Sequence, residues 1–254
     1  MFISSNSIGG DEPFSIYHAQ TDVSSILNLM KLENNPPLHF LILHFWIKLF
    51  GISAFSVRFL SVIFSSLAAL VVYQIGNKFF SFRTGVIGSI LFSFSNLNMF
   101  LAHEARVYSL FVLMAALSMY YFLSIYHNRS KISFYILLLF CNALLLYAHY
   151  FGFYIIISQT IAVLWIKDVR KTVFRHYLIY LLLLFCLYIP NIIVMLTRFS
   201  VSSHGTWVVK PNGITAIYDM LWAFSNQPVT TVFCIALLII AGLNLILKRR
   251  RVAK

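Results

Sequence analysis

The chain has few charged side chains, and acidic ones are the scarcest of them. Charged residues make up 10% of its 254 residues and hydrophobic residues 60%. A soluble globular domain is close to half apolar and a quarter charged. Only seven residues are Asp or Glu, against 19 Lys and Arg. This composition excludes a soluble globular protein and predicts an integral membrane protein.

Cysteine is also scarce, and a continuous basic face is lacking. Cys141, Cys186 and Cys234 each lie within an apolar run and have no metal-ligand spacing, so we expect small core residues there. The net charge is +12, but the basic residues stand at the ends of apolar runs, as membrane topology requires. Nucleic acid is therefore not a predicted partner. Residues 1–10 show neither the basic nor the apolar region of a cleavable signal peptide.

Seven apolar runs are candidates for membrane spans. A bilayer core of about 30 Å takes about 20 residues of helix, because every backbone polar group must be bonded within the segment. Pro190 is expected to kink the sixth run or to end it early. The predicted fold class is an all-α integral membrane protein, a multi-pass helical bundle of about seven spans. The runs cover residues 59–77, 84–102, 107–126, 132–148, 151–166, 177–196 and 229–247.

Basic clusters predict the orientation of these runs. They fall at every second junction, in residues 78–83, 129–131, 167–175 and 248–254, and the positive-inside rule places them in the cytoplasm. The N-terminal segment and the junctions at 103–106, 149–152 and 197–228 are then external. We expect the plasma (inner) membrane, with the functional groups on its external or periplasmic side.

The segment from residue 9 to residue 51 contains four of the seven acids, Asp11, Glu12, Asp22 and Glu33. We predict that residues 1–53 form an external first loop and that residues 54–254 form the polytopic transmembrane domain. Within the loop, residues 36–51 repeat apolar side chains at helical spacing but are too short to span comfortably. They predict an interfacial amphipathic helix, with a broken half-span as the alternative. Asn34 or Asn35 is the expected cap.

Three polar clusters converge on the predicted external face, and this asymmetry predicts binding or chemistry there. Each has a structural alternative: a solvated acid pair, a helix N-terminal carboxylate at Glu104, and a hydrogen-bonded structural histidine. Arg106 is expected to have an anionic partner, which is Glu104, a loop acid or a ligand phosphate. The clusters are Asp11 with Glu12, then His103, Glu104, Arg106 and Tyr108, then His149 with Tyr150.

His103, His149 and either Glu104 or Glu12 are the one combination that would suit a divalent metal, although no local ligand spacing supports it. No other cofactor is indicated.

Two rival functions remain open. A lipid or solute transporter or flippase predicts mid-membrane polar residues and discontinuous helices, for which Ser93, Ser95, Asn96 and Asn98 are the only hint. A non-catalytic membrane scaffold or fragment is the other rival.

Several short motifs, taken in order, resemble a known family. The chain is similar to the dolichyl-phosphate-mannose protein mannosyltransferases and their bacterial relatives, the lipid A aminoarabinose transferases, all of GT-C fold (glycosyltransferase family 39-like). Each motif alone is weak, whereas the ordered set over about residues 11–166 is more specific. The motifs are DE at 11–12, NPPL at 35–38, WIKLFG at 46–51, RFLS at 58–61, EARVYSL at 104–110 and AHYF at 148–151.

The resemblance implies a membrane glycosyltransferase that uses a polyprenyl-phosphate-linked sugar donor at the external face and inverts the sugar carbon. It implies Asp11 as general base on an acceptor hydroxyl, with Glu12 in support. Arg106 is the expected binder of the donor phosphate, and His149 and Lys48 are further candidates for this role. His103, Glu104, Tyr108, Tyr150 and Asn35 are expected to support the site. Family members have a span before the acid pair, so we expect a truncated chain; sugar and acceptor are not readable.

Overall fold

The computed structural model describes residues 8–31, 35–127 and 131–203, together with isolated positions between 213 and 240. The predicted all-α fold class is confirmed: the described ranges consist of helices and their connections, without a strand. The helices are α1 Glu12–Ala19, α2 Val23–Met30, α3 Leu38–Phe50, α4 Ala54–Phe79, α5 Phe82–Ser93, α6 Asn96–Ala102, α7 Tyr108–His127, α8 Ile132–Ala148, α9 Gly152–Trp165 and α10 Lys167–Ser203.

The segment expected to be a loop contains two short helices before α3. Asp22 begins α2, because its side chain accepts the Ser25 N–H at 3.0 Å and so satisfies a backbone donor of the first turn. α3 has Pro37 as its N-cap residue and no side-chain cap. The expected cap by Asn35 is therefore wrong, and Asn34 lies outside the described residues.

α3 packs on protein through one face. His39, Phe40, Leu43 and His44 are buried, and an apolar cluster joins Leu43 to residues of α1, α4 and the connection before α7. The Trp46 indole donates a hydrogen bond to the backbone oxygen of Ser56 at 2.9 Å. The opposite face of α3, which includes Lys48 and Leu49, is exposed. The amphipathic pattern thus has a protein partner; its position at a membrane interface stays a prediction.

α4 and α5 form a tight helical hairpin because glycines face each other across it. A Cβ atom on Gly76 would lie 2.5 Å from the Cα of Gly85, and one on Gly85 would lie 2.6 Å from the Tyr73 carbonyl oxygen. Only glycine permits backbones to approach this closely.

The second predicted span is broken. α5 and α6 meet at an angle of 61°, so residues 84–102 do not form one straight helix. Ser95 caps α6 by accepting the Asn98 N–H, and Asn98 also accepts a hydrogen bond from Ser65 of α4 at 3.1 Å. A serine cap interrupts a helix because its side chain replaces a backbone partner.

α7, α8, α9 and α10 pack around an apolar core that encloses a small polar network. Asn142 donates to Gln159 at 3.1 Å and to the Tyr180 hydroxyl at 2.5 Å, and Gln159 donates to Ser118 at 2.7 Å. These neutral groups lie on four different helices, so their bonds tie the bundle together where water is absent.

Among the described residues, three helices, α4, α7 and most of α10, are long and apolar enough to cross a membrane, and the bent α5–α6 pair would be a fourth. α8 and α9 occupy the predicted fourth and fifth runs but are shorter apolar helices. α10 continues past Pro190 to Ser203 and includes the basic residues 167–175, which were expected in a connection. The predicted run 229–247 lies almost entirely outside the described residues.

Candidate active site

The acid pair of the first segment divides between two arginines. Glu12 and Arg58 are both buried and form a two-point salt bridge, with Nη2 to Oε2 at 2.6 Å and Nε to Oε1 at 2.8 Å. The Glu12 carboxylate also accepts the Ala105 N–H at 2.9 Å and the Gly9 N–H at 3.3 Å. Burial alone would raise the pKa of Glu12, but these bonds outweigh it and hold that pKa below its usual value. Glu12 is thus a charged structural tie between α1, α4 and the connection before α7.

Asp11 pairs with Arg106 in a looser arrangement. Arg106 Nη2 lies 3.3 Å from Asp11 Oδ2, and Nη1 donates to the Asp11 backbone oxygen at 3.2 Å and to the Ser15 hydroxyl at 3.3 Å. The Asp11 side chain is 63% exposed and that of Arg106 11%. The predicted anionic partner of Arg106 is therefore a loop acid. Adjacent carboxylates point apart, as their neighbouring positions require, and only Asp11 is accessible.

Glu104 lies in the connection between α6 and α7, half-buried and close to both pairs. Burial and the charge of Glu12 raise the pKa of Glu104, and Arg106 opposes this rise. α7 begins at Tyr108, four residues later, so the alternative of a carboxylate in the first helical turn is wrong. Within the described residues, Glu104 makes no ion pair with Arg106.

His39 is a buried histidine beside the same connection. Its ring is 1% exposed and lies near the Ala105 backbone and Arg106. Neither ring nitrogen has a hydrogen-bond partner among the described residues. Burial lowers the pKa of His39 to about 4; the nearby Ala105 backbone opposes this shift without forming a hydrogen bond of acceptable geometry, and the charge of Arg106 adds to it. A neutral imidazole therefore lies directly behind the cationic side of the site.

His149 and Tyr108 continue the site away from Asp11. The guanidinium of Arg106 lies 5.8 Å from the centre of the Tyr108 ring, and that ring lies 6.2 Å from His149. His149 Nδ1 accepts the Phe151 N–H, so its proton is on Nε2 when the ring is neutral. Burial lowers the pKa of His149, with a further contribution from Arg106. At neutral pH this side chain offers a hydrogen-bond donor and no positive charge.

An apolar cavity of about 620 Å³ begins at these two rings. It lies between the bent α5–α6 pair, α7 and the α8–α9 connection. Leu91, which lines it, is 68% exposed on the outside of the bundle, so the α5–α6 wall borders the lipid side. Its lining includes Phe92, Ser95, Asn98, Tyr108, Phe111 and His149.

The remaining predicted site residues stand further from the two pairs. His103 is bonded through Nδ1 to the Met99 backbone oxygen at 2.6 Å and ends α6. Tyr150 is half-buried in the α8–α9 connection, with its ring 6.2 Å from Phe199. Lys48 is exposed, nine residues beyond His39 on α3, which is about 13 Å along a helix. Asn35 is half-buried ahead of α3.

The suggested metal ligands are not brought together. Among the described residues, no three His, Cys, Asp or Glu side chains lie close enough to hold a metal ion. Glu12 is engaged by Arg58, and His103 by a backbone oxygen.

Sequence reasoning missed three members of the cluster: Arg58, Ser15 and His39. Arg58 carries the same signal that singled out Arg106, a cation at the predicted external end of a span. His39 carries none, because a histidine on an apolar helix face is usually a packed core residue.

The family model of the dolichyl-phosphate-mannose-protein mannosyltransferases matches residues 34–194, more than half of the chain. Arg58, Glu104, Arg106 and His149 lie inside the match, whereas Asp11 and Glu12 precede it. Neither the curated proteins nor the solved structures gave a significant match.

Proposed function

The chain belongs to the dolichyl-phosphate-mannose-protein mannosyltransferase family of membrane glycosyltransferases, and on that premise we propose that it moves a sugar from a polyprenyl-phosphate-linked donor to an acceptor hydroxyl with inversion. One observation carries the proposal. The exposed carboxylate of Asp11 lies 3.3 Å from the guanidinium of Arg106, so a base and a phosphate-binding cation occupy one site. The two residues are 95 positions apart in sequence.

Asp11 is the general base of the proposed reaction. The acceptor hydroxyl gives its proton to the Asp11 carboxylate as its oxygen bonds to the anomeric carbon. On the opposite side of that carbon, the bond to the phosphate oxygen breaks, and its electron pair leaves with the polyprenyl phosphate. Glu12 does not compete for this role, because its oxygens are buried and already accept hydrogen bonds.

Arg106 binds the phosphate of the donor. Positive charge near the leaving oxygen lowers the barrier, because negative charge develops there in the transition state. His149, neutral and carrying its proton on Nε2, adds a hydrogen-bond donor at the mouth of the cavity. A neutral His39 behind the site adds no second cation that would repel Arg106.

The cavity beyond Tyr108 suits the polyprenyl chain. It is apolar, is lined by Tyr108, whose ring lies 5.8 Å from the Arg106 guanidinium, and reaches the outside of the bundle through α5. A donor that lies in the membrane would thus place its phosphate at Arg106 and its chain among apolar side chains.

The position of the site relative to the bilayer supports an external location. At the far end of α4 and α7, Lys78 bonds to Tyr120 and Ser124, and α7 from Tyr108 to His127 is about 30 Å long. Tyr120 and Ser124 are 12 and 16 residues beyond Tyr108, so the lysine lies about 18–24 Å along α7 from the candidate site, which is most of the thickness of a bilayer core. Under the positive-inside rule the lysine end is cytoplasmic and the site faces the external or periplasmic side of the plasma (inner) membrane.

A transporter would also use a broken helix and buried polar groups. Both occur here, in α5–α6 and in the network of Asn142, Gln159 and Tyr180. That network consists of neutral side chains bonded to one another, which suits helix packing better than an ion or substrate path. The transferase proposal therefore has the stronger support.

The test is release of polyprenyl phosphate from decaprenyl-phosphate mannose, with native membranes as the source of acceptors and the glucose and aminoarabinose donors in parallel. Asp11→Asn should abolish release while membrane insertion and the melting temperature stay unchanged. Arg106→Ala should raise KM for the donor and lower kcat, and Arg83→Ala, at the opposite end of α4 and α5, should do neither. Full turnover by Asp11→Asn would remove the base assignment. No release by the unaltered protein from any of the three donors would remove the transferase proposal.

A further inference from the structure

The two arginine–acid pairs of the site differ in strength. Arg58 and Glu12 are joined at 2.6 and 2.8 Å and both are buried. Arg106 and Asp11 are 3.3 Å apart, beyond the range of about 2.7–2.9 Å for strong charge-assisted bonds, and Asp11 is largely in solvent. A partly exposed pair of this kind has little net strength, because water solvates the freed carboxylate.

The roles proposed for Asp11 and Arg106 conflict while they are paired. Arg106 Nη2 contacts Asp11 Oδ2 at 3.3 Å, so this oxygen is occupied where an acceptor hydroxyl would have to approach it. Likewise, Arg106 uses both hydrogens of Nη1 and one of Nη2 on Asp11 and Ser15, so it cannot bind a phosphate through both terminal nitrogens while the pair is closed. The remaining nitrogen, Nε, is buried and without a partner among the described residues. Both groups work only after the pair has opened.

We propose that the donor phosphate opens this pair by taking Arg106 from Asp11. The exchange couples donor binding to the release of the base: Asp11 Oδ2 becomes available to the acceptor hydroxyl when the phosphate takes Arg106. Glu12 stays on Arg58 throughout and keeps α1, which carries Ser15 and follows Asp11, in place. The inference rests on the proposed function and deepens it, because it predicts that the donor binds before the acceptor.

The exchange protects the carboxylate when no donor is present. Without a bound phosphate, Arg106 stays on Asp11 Oδ2, and an acceptor hydroxyl meets a carboxylate that is already in contact with a cation. The tight Glu12–Arg58 pair cannot act as such a switch, because a buried ion pair is costly to separate. The weak Asp11–Arg106 pair therefore takes part in the exchange, and the strong Glu12–Arg58 pair holds α1 in place.

Binding of decaprenyl phosphate in nanodiscs tests the exchange without an acceptor. If Asp11 competes with the phosphate for Arg106, Asp11→Asn should tighten binding by about two- to five-fold, the strength of one partly exposed ion pair. Removing any nearby negative charge also favours an anionic ligand, so Glu104→Gln is the matched control. This residue lies in the same field but makes no ion pair with Arg106 within the described residues.

The exchange predicts a larger gain for Asp11→Asn than for Glu104→Gln, and equal effects of both in an Arg106→Gln background. Equal gains with Arg106 in place, or weaker binding by Asp11→Asn, would overturn it. If the unaltered protein does not bind decaprenyl phosphate, the proposed donor class falls as well. If it binds but the two single variants respond alike, only the exchange is lost. Melting temperatures of all variants confirm that each is folded.

Discussion

Arg58 of α4 donates two short hydrogen bonds to Glu12 of α1, while the adjacent Asp11 is accessible to solvent. Glu12 is thereby a structural residue, whereas Asp11 is the acid that a ligand can reach. This division separates the two positions experimentally.

Glu12→Gln should destabilise the protein strongly, because it leaves the buried charge of Arg58 without its partner. Removal of one member of a buried ion pair costs about 3–5 kcal/mol. The melting temperature in detergent should fall by much more than in Asp11→Asn. The double variant Glu12→Gln with Arg58→Met should recover part of the loss, since it also removes the buried positive charge that Glu12 balances. Equal melting temperatures for the two single variants would contradict the structural role of Glu12.

The lowered pKa of His39 predicts that the free energy of unfolding decreases in mild acid. Its pKa of about 4 in the folded protein is below the usual value of about 6.5, so the unfolded chain binds the proton more readily. The stability is complete above about pH 6.5 and falls by up to about 1.4 kcal/mol per pH unit towards pH 4. His39→Gln should flatten the decline of melting temperature over this window. His149, whose pKa is also lowered, adds a decline in the same direction to the melting-temperature curves of both the unaltered protein and His39→Gln. Parallel curves for the two proteins would show that His39 is not the titrating group.

Filling the apolar cavity should impair donor use. Val112 lines the cavity, and Val112→Trp would occupy part of its volume. We expect a raised KM for decaprenyl-phosphate mannose and weaker binding of decaprenyl phosphate, with kcat at saturation affected less. Ile157 of α9 is exposed to the outside of the bundle, so Ile157→Trp is the control for added aromatic bulk. Similar kinetics for both variants would place the polyprenyl chain elsewhere.

Gly85→Ala should loosen the α4–α5 hairpin. The added methyl would lie 2.6 Å from the Tyr73 carbonyl oxygen, so the helices must move apart, at a cost of about 1–3 kcal/mol. Gly88, one turn further along α5, has its nearest neighbour 3.9 Å from the added carbon. Gly88→Ala should therefore be tolerated or slightly stabilising, as alanine favours helix. The melting temperatures of Gly85→Ala and Gly88→Ala test this difference. An unchanged value for Gly85→Ala would contradict the close approach of the two helices.

The class of protein and the positions of most helices follow from the sequence alone. Long apolar runs predict membrane helices, because a backbone in lipid must bond within its own segment. The run at 132–148 has the bounds of α8, and the apolar repeat after Pro37 became α3. These are local properties, readable from a window of neighbouring residues. The expectation that Arg106 needs an anionic partner was local in the same sense.

Contacts between distant segments were decided only by the tertiary structure. The sequence names two acids and several cations but does not say that Glu12 belongs to Arg58, 46 residues away, and Asp11 to Arg106, 95 residues away. The polar residues from Ser93 to Asn98 hinted at a discontinuous helix, but the predicted span 84–102 ran through them, because a hydropathy window averages a short polar stretch with its apolar neighbours. His39 belongs to the site only because α3 packs beside the connection before α7. Pairing, burial and accessibility depend on which surfaces meet, and that is settled by packing rather than by composition.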